Sequence, residues 1–118
     1  MKRDPDLIRE ILLQVEAADA MPLAVLEIEL EGYSQNEISY HIQMLAEAQY
    51  LRAKNFTTLN SYEWKAQSLT WEGHELLGAI KDDTVWNDTK KQMSKIGGWT
   101  VAVLQGVATD IVKRHVGL

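Results

Sequence analysis

Apolar residues recur at helical spacing near the start of the chain, where Leu7, Ile8, Ile11, Leu12 and Val15 make one stripe. Asp4 is placed to cap that helix, Pro5 suits its first position, and Asp6 lies near the positive end of its dipole. The pattern predicts a core-packing helix from Asp4 to about Ala18. After a connection containing Pro22 the period changes to two. Leu26, Ile28 and Leu30 point inward and Glu27 and Glu29 outward, predicting a half-buried strand over 25–30 with a solvated acidic outer face.

The most informative stretch runs from Tyr33 to Leu51. Ser34 and Glu37 form a capping box, and Tyr33 is placed to staple onto Ile38. Ile38, Ile42, Leu45 and Ala46 then share one helical face. Asn36, Ser39, Tyr40, Gln43 and Glu47 share the opposite one, which is polar and uncharged apart from Glu47. Leu51–Thr58 has strand composition, Leu59–Tyr62 reads as a turn, and Trp64–Leu69 returns antiparallel. Together these predict a two-stranded wing directly after a helix.

Thr70 caps the next helix, in whose first turn Gly73 is unfavourable unless it permits close packing. Asp82 and Asp83 either restart this helix or lie on its surface. A weaker stripe of Val85, Trp86 and Met93 continues to Ile96, and Gly97-Gly98 stops it. Trp99–Val116 is a final amphipathic helix with Lys113, Arg114 and His115 at its negative end. It either packs back on the domain or pairs with its twin in a two-fold dimer. The expected fold is mainly helical α+β, a single domain by length. Residues 1–70 form its core and residues 71–118 a helical extension.

With 118 residues, 46% hydrophobic and 25% charged, the composition is that of an ordinary globular protein. The absence of cysteine excludes disulfides, thiolate catalysis and any Cys-based zinc site. No apolar run approaches a membrane span, and the start lacks the apolar stretch of a signal peptide, so a cytoplasmic location is expected, with no membrane partner. The net charge of −5 is unevenly spread: residues 1–33 carry three basic and eight acidic side chains, and the remaining 85 residues nine of each. A cationic face is therefore open to the later part of the chain.

Catalytic signatures are absent. His74-Glu75 begins a zinc-protease motif, but the second histidine position holds Gly78. There is no nucleophile elbow, phosphate loop or dinucleotide fingerprint, and neighbouring Asp82 and Asp83 point different ways on a helix. No enzyme, metal or cofactor is expected.

MKRDPDLIREILL, EGYSQNEISYHIQMLAEA and SLTWEGHELLGAIKDDTVWN, in that order, resemble a family of small bacterial and phage proteins of unknown function, domain of unknown function 2513. The resemblance covers nearly the whole chain and brings no established activity with it. The helix, wing and LTxEG order is also similar to the winged helix-turn-helix domains of bacterial regulators, which implies DNA binding by analogy. One position departs from that pattern: Gln49 stands where such helices end in Gly before the strand, so a different helix end is expected.

Two partners fit these features. Double-stranded DNA would place the polar helix in the major groove, with Asn36, Ser39, Tyr40 and Gln43 as base-edge or phosphate donors. Lys54, Lys65, Lys90, Lys91 and Lys95 would supply phosphate contacts. This makes the chain a phage- or prophage-type transcriptional regulator in a bacterial host. Residues 34–51, however, contain no Lys or Arg. The alternative is a host protein, met by Tyr40, Gln43 and Met44 together with Phe56, Tyr62 and Trp64, as for a phage protein that modulates a host complex.

Overall fold

A computed structural model describes residues 1–117 and has α+β architecture, five helices and one two-stranded antiparallel sheet among those residues. The helices are α1 (Pro5–Ala17), α2 (Gln35–Glu47), α3 (Trp71–Ile80), α4 (Asp83–Met93) and α5 (Val101–His115); the strands are β1 (Leu51–Asn55) and β2 (Trp64–Leu69). The chain divides into two compact units, Met1–His74 and Glu75 onward, with the division just inside α3.

In the first unit the Asp4 carboxylate caps α1 by accepting from the amides of Asp6 (2.9 Å) and Leu7 (3.3 Å), as the Asp-Pro-Asp start predicts. Leu7, Ile8, Ile11, Leu12 and Val15 are all buried and pack α1 against α2 and β2. The Ser34–Glu37 capping box is formed, with both hydrogen bonds at 3.1 Å. Ile38, Ile42 and Leu45 seat α2 on the same core with Leu51, Ala66 and Leu69 from the sheet.

The segment between α1 and α2 corrects the expected strand. Among the described residues it contains turns and extended chain, but neither a strand nor a helix, and one isolated bridge in which the Leu26 amide donates to the Ala66 carbonyl at 2.8 Å. Alternation fixed the facing of side chains correctly, since Ile28 is buried and Glu27 and Glu29 are exposed. A ladder also needs backbone partners, and here side chains take that role. Gln67 donates to the Leu23 carbonyl (2.8 Å) and Gln14 to the Glu29 carbonyl (3.1 Å), while a bulge beside Ala53 interrupts the sheet register next to the bridge.

The end of α2 corrects a second expectation. Gln49 does adopt the left-handed conformation, at φ 69°, in place of glycine. The Tyr50 amide donates to the Leu45 carbonyl (2.8 Å) and the Gln49 amide to the Ala46 carbonyl (3.0 Å), the two bonds of a Schellman turn. This turn is gripped by the start of α3. The Thr70 hydroxyl donates to the Gln49 carbonyl (2.5 Å) and accepts from the Gly73 amide (3.0 Å), and the Thr70 amide donates to the Tyr50 carbonyl (3.2 Å). A Cβ on Gly73 would lie 2.1 Å from that same carbonyl oxygen, which accounts for glycine in the first turn of a helix.

In the second unit Asp82 restarts the chain as the N-cap of α4, accepting from the Val85 amide at 2.9 Å. Helix α4 stops at Met93, ahead of Ile96, because the Ser94 hydroxyl takes the Lys91 carbonyl (2.7 Å) and the next two amides turn back only three residues. Thr100 caps α5 through the Val103 amide (3.2 Å). Val85, Trp86 and Met93 of α4 and Leu104, Ala108 and Ile111 of α5 are buried as the two helices pack together. No helix of the described residues is long and apolar enough to cross a membrane.

Candidate partner-binding face

The polar side of α2 divides into an anchored half and an exposed half. Ser39, expected to meet a partner, is fully buried. Its hydroxyl accepts from the backbone amide of Trp64 (3.1 Å) and from the Gln35 side chain (3.4 Å), so it fastens β2 to the helix. Gln43, likewise a candidate donor to a partner, is half-buried and accepts from the Tyr62 hydroxyl. Burial first, then the neighbouring Tyr40 and Glu47, pushes the Tyr62 phenol above its ordinary value. The hairpin thus lies along one edge of α2. Trp64 is half-buried there, while Asn36 and Glu47 remain exposed and Tyr40 half-exposed.

The inner side of α2 carries a histidine that the sequence reading left unassigned. His41 is buried; its Nδ1 donates to the Glu37 carbonyl (2.8 Å) and its Nε2 accepts from the Asp4 amide (2.9 Å). It joins the cap of α1 to the first turn of α2. Nearby, burial and then the Asp4 carboxylate, its hydrogen-bond acceptor, push the Tyr33 phenol upward, with Asp6 and Glu37 adding to the effect. The start of α2 therefore faces an acidic neighbourhood. A spacing of i to i+4 from Glu37 to His41 was the available signal, and it concerns structure rather than ligand binding.

The expected cations of this unit are fewer in practice than in sequence. Lys65 bridges Glu27 and Glu63 (3.2 Å to the latter), which hold its ammonium above the ordinary range, and it also lies 5.6 Å from the Phe56 ring centre. Arg52 donates to the Leu69 carbonyl at 2.9 Å yet stays exposed, as does Lys54, opposite Lys65 in the register. Lys90 and Lys91 belong to the second unit, where the Lys90 ammonium lies 5.8 Å from the Trp86 ring centre. At the tip of the hairpin, by contrast, Leu59 is 105% exposed and Phe56 42% exposed. The tip bends through the Thr58–Ser61 bridge, and Asn55 and Thr57 fix its flank through a 2.9 Å bond.

Charge follows the same division. Residues 1–74 carry six basic and twelve acidic side chains, net −6, and residues 75–118 carry six basic and five acidic, net +1. Among the described residues no group of three or more His, Asp or Glu is placed to hold a metal ion, and no buried polar side-chain atom lacks a hydrogen-bond partner.

A capped helix followed by an antiparallel hairpin, and later in the chain a separate helical unit, is the architecture of the chain, and residues 2–100 match the family described as hypothetical protein, DUF2513. The chain belongs to that family. It is also 36% identical over 115 residues to an uncharacterized protein of Haemophilus influenzae (strain ATCC 51907 / DSM 11121 / KW20 / Rd), spanning 97% of this chain and 98% of that one. No solved structure matches.

Proposed function

We propose that this is a non-enzymatic binding protein of winged-helix type, whose α2 and hairpin tip dock a protein partner. The observation that carries the reading is the pairing of a solvent-exposed apolar tip, Phe56 and Leu59, with a helix face that presents Asn36, Tyr40 and Glu47 and no cation. Aromatic and aliphatic anchors flanked by polar groups are the chemistry of protein interfaces. A net −6 unit disfavours approach to a polyanion and favours a partner whose apolar depression is ringed by basic groups.

Double-stranded DNA is the second reading. It is favoured by the order of elements, a capped helix leading straight into a hairpin, with Asn36 and Lys54 exposed. Against it stand the burial of Ser39 and the engagement of Gln43 and Lys65 within the fold.

A bacterial lysate passed over the immobilised protein distinguishes them. The expected result is a protein retained after nuclease treatment and released at least tenfold more readily from the Phe56→Ala, Leu59→Ser variant, consistent with loss of anchors worth about 2 kcal/mol. Retention abolished by nuclease overturns the protein reading. So does a duplex affinity that falls steeply with salt and whose slope Lys54→Ala flattens.

A further inference from the structure

Between α4 and α5 a groove runs along one side of the second unit. The two helices lie antiparallel, so that Asp88 meets His115 at one end while Ile96 comes near Val107 toward the other. Two cavities open along it. The first, about 260 Å³, is lined by Asp88, Lys91, Gln92, Ile111, Arg114 and His115. The second, about 300 Å³, is lined by Gln92, Lys95, Ile96, Val107, Asp110 and Arg114. Gln92 and Arg114 belong to both.

The charges in this groove are arranged unevenly. Asp88, the acid of the first cavity, is occupied by the His115 imidazole at 3.3 Å. Lys91, Lys95 and Arg114 make no side-chain hydrogen bond or ion pair among the described residues, and the acids that share their cavities are Asp88 in the first and Asp110 in the second. Three cations against two carboxylates leave the groove an excess of one positive charge before His115 is counted, and all three cations line concave walls. Arg114 offers a planar fork of donors to both cavities, Lys91 and Lys95 a point charge to one each, and Gln92 a neutral amide between them.

We infer that the α4–α5 groove is an anion site that takes two adjoining phosphate groups of a small ligand, one beside Lys91 and one beside Lys95, with Arg114 bridging them. The donor set matches the diphosphate portion of a nucleotide or inorganic pyrophosphate, and Ile111 and Val107 supply an apolar floor. This site lies wholly in the second unit and does not depend on the partner face of the first.

Inorganic pyrophosphate, titrated into the full-length protein and followed by amide chemical shifts, tests the inference. The expected result is saturable shifts confined to residues 88–115, stronger with pyrophosphate than with phosphate, and an affinity at least tenfold weaker in Arg114→Gln and in Lys91→Gln, both surface changes. Lys54→Gln, in the other unit, leaves the affinity unchanged. A nucleoside diphosphate that binds more tightly than pyrophosphate at the same residues identifies a nucleotide as the source; equal binding identifies the free anion. Absence of saturation, shifts spread over all lysines alike, or shifts with a DNA duplex but not with pyrophosphate overturns the inference.

Discussion

Gln49 and Gly73 are each set against their neighbours in opposite senses. Gln49 holds a left-handed backbone that glycine adopts without penalty, and Gly73 occupies a helix turn that glycine weakens. Gln49→Gly is expected to raise stability by about 0.5–1 kcal/mol, the strain relieved being partly offset by the added freedom of the unfolded chain. Gly73→Ala is expected to lower it by about 2–3 kcal/mol or more, since the atom at 2.1 Å is backbone and has nowhere to move. Urea midpoints of the two variants, read by circular dichroism, check both signs; equal shifts would sink the account of this junction. The sequence made Gly73 legible as a packing residue, because glycine near a helix start has few other reasons. Gln49 was not legible in this way: the absence of glycine predicts a different helix end, whereas the bonds to Leu45 and Ala46, and the grip of Thr70, hold the left-handed turn regardless.

At the level of elements, caps and hydrophobic stripes were enough to locate α1, α2, β2 and the start of α3, since each depends on residues close in sequence. The segment over 25–30 was not, because a strand is defined by a partner and the side chains of Gln14 and Gln67 occupy the backbone groups that a partner would use. The candidate site failed in the same way. Helical spacing placed Ser39 on the polar face, but the spacing could not reveal that the Trp64 amide would need its hydroxyl. Ser39→Ala leaves that half-buried amide without its acceptor and is expected to destabilise the protein by about 1 kcal/mol. Hydrogen exchange of the amides of β1 and β2 should quicken more than that of α1. If instead α1 and the hairpin open together and by equal amounts, Ser39 is not the local fastener described here.

For the molecule as a whole, the split between an acidic unit and a slightly basic one matters more than the total charge. The sequence showed the acidity of residues 1–33 but could not tell which basic side chains are engaged internally; Lys65 is, between Glu27 and Glu63, and Lys91, Lys95 and Arg114 are not. The two proposed sites are therefore expected to be separable. The Phe56→Ala, Leu59→Ser variant keeps wild-type pyrophosphate affinity, and Arg114→Gln keeps capture of the protein partner, in the titration and retention experiments above. Loss of both activities from either change would mean one shared surface and would overturn this division of labour.

The knot formed by Gln49, Tyr50, Thr70 and Gly73 clamps the base of the hairpin, where its two strands enter and leave. Extra residues spliced in at that base would tear the fold. Between Leu59 and Asn60, at the far end of the loop, a short epitope or fluorophore carrier should be accommodated with little loss of stability, because the exposed backbone there is held by only a few local bonds. The same placement puts the graft where a docking protein would collide with it, so one insertion serves as both a reporter and a blocker.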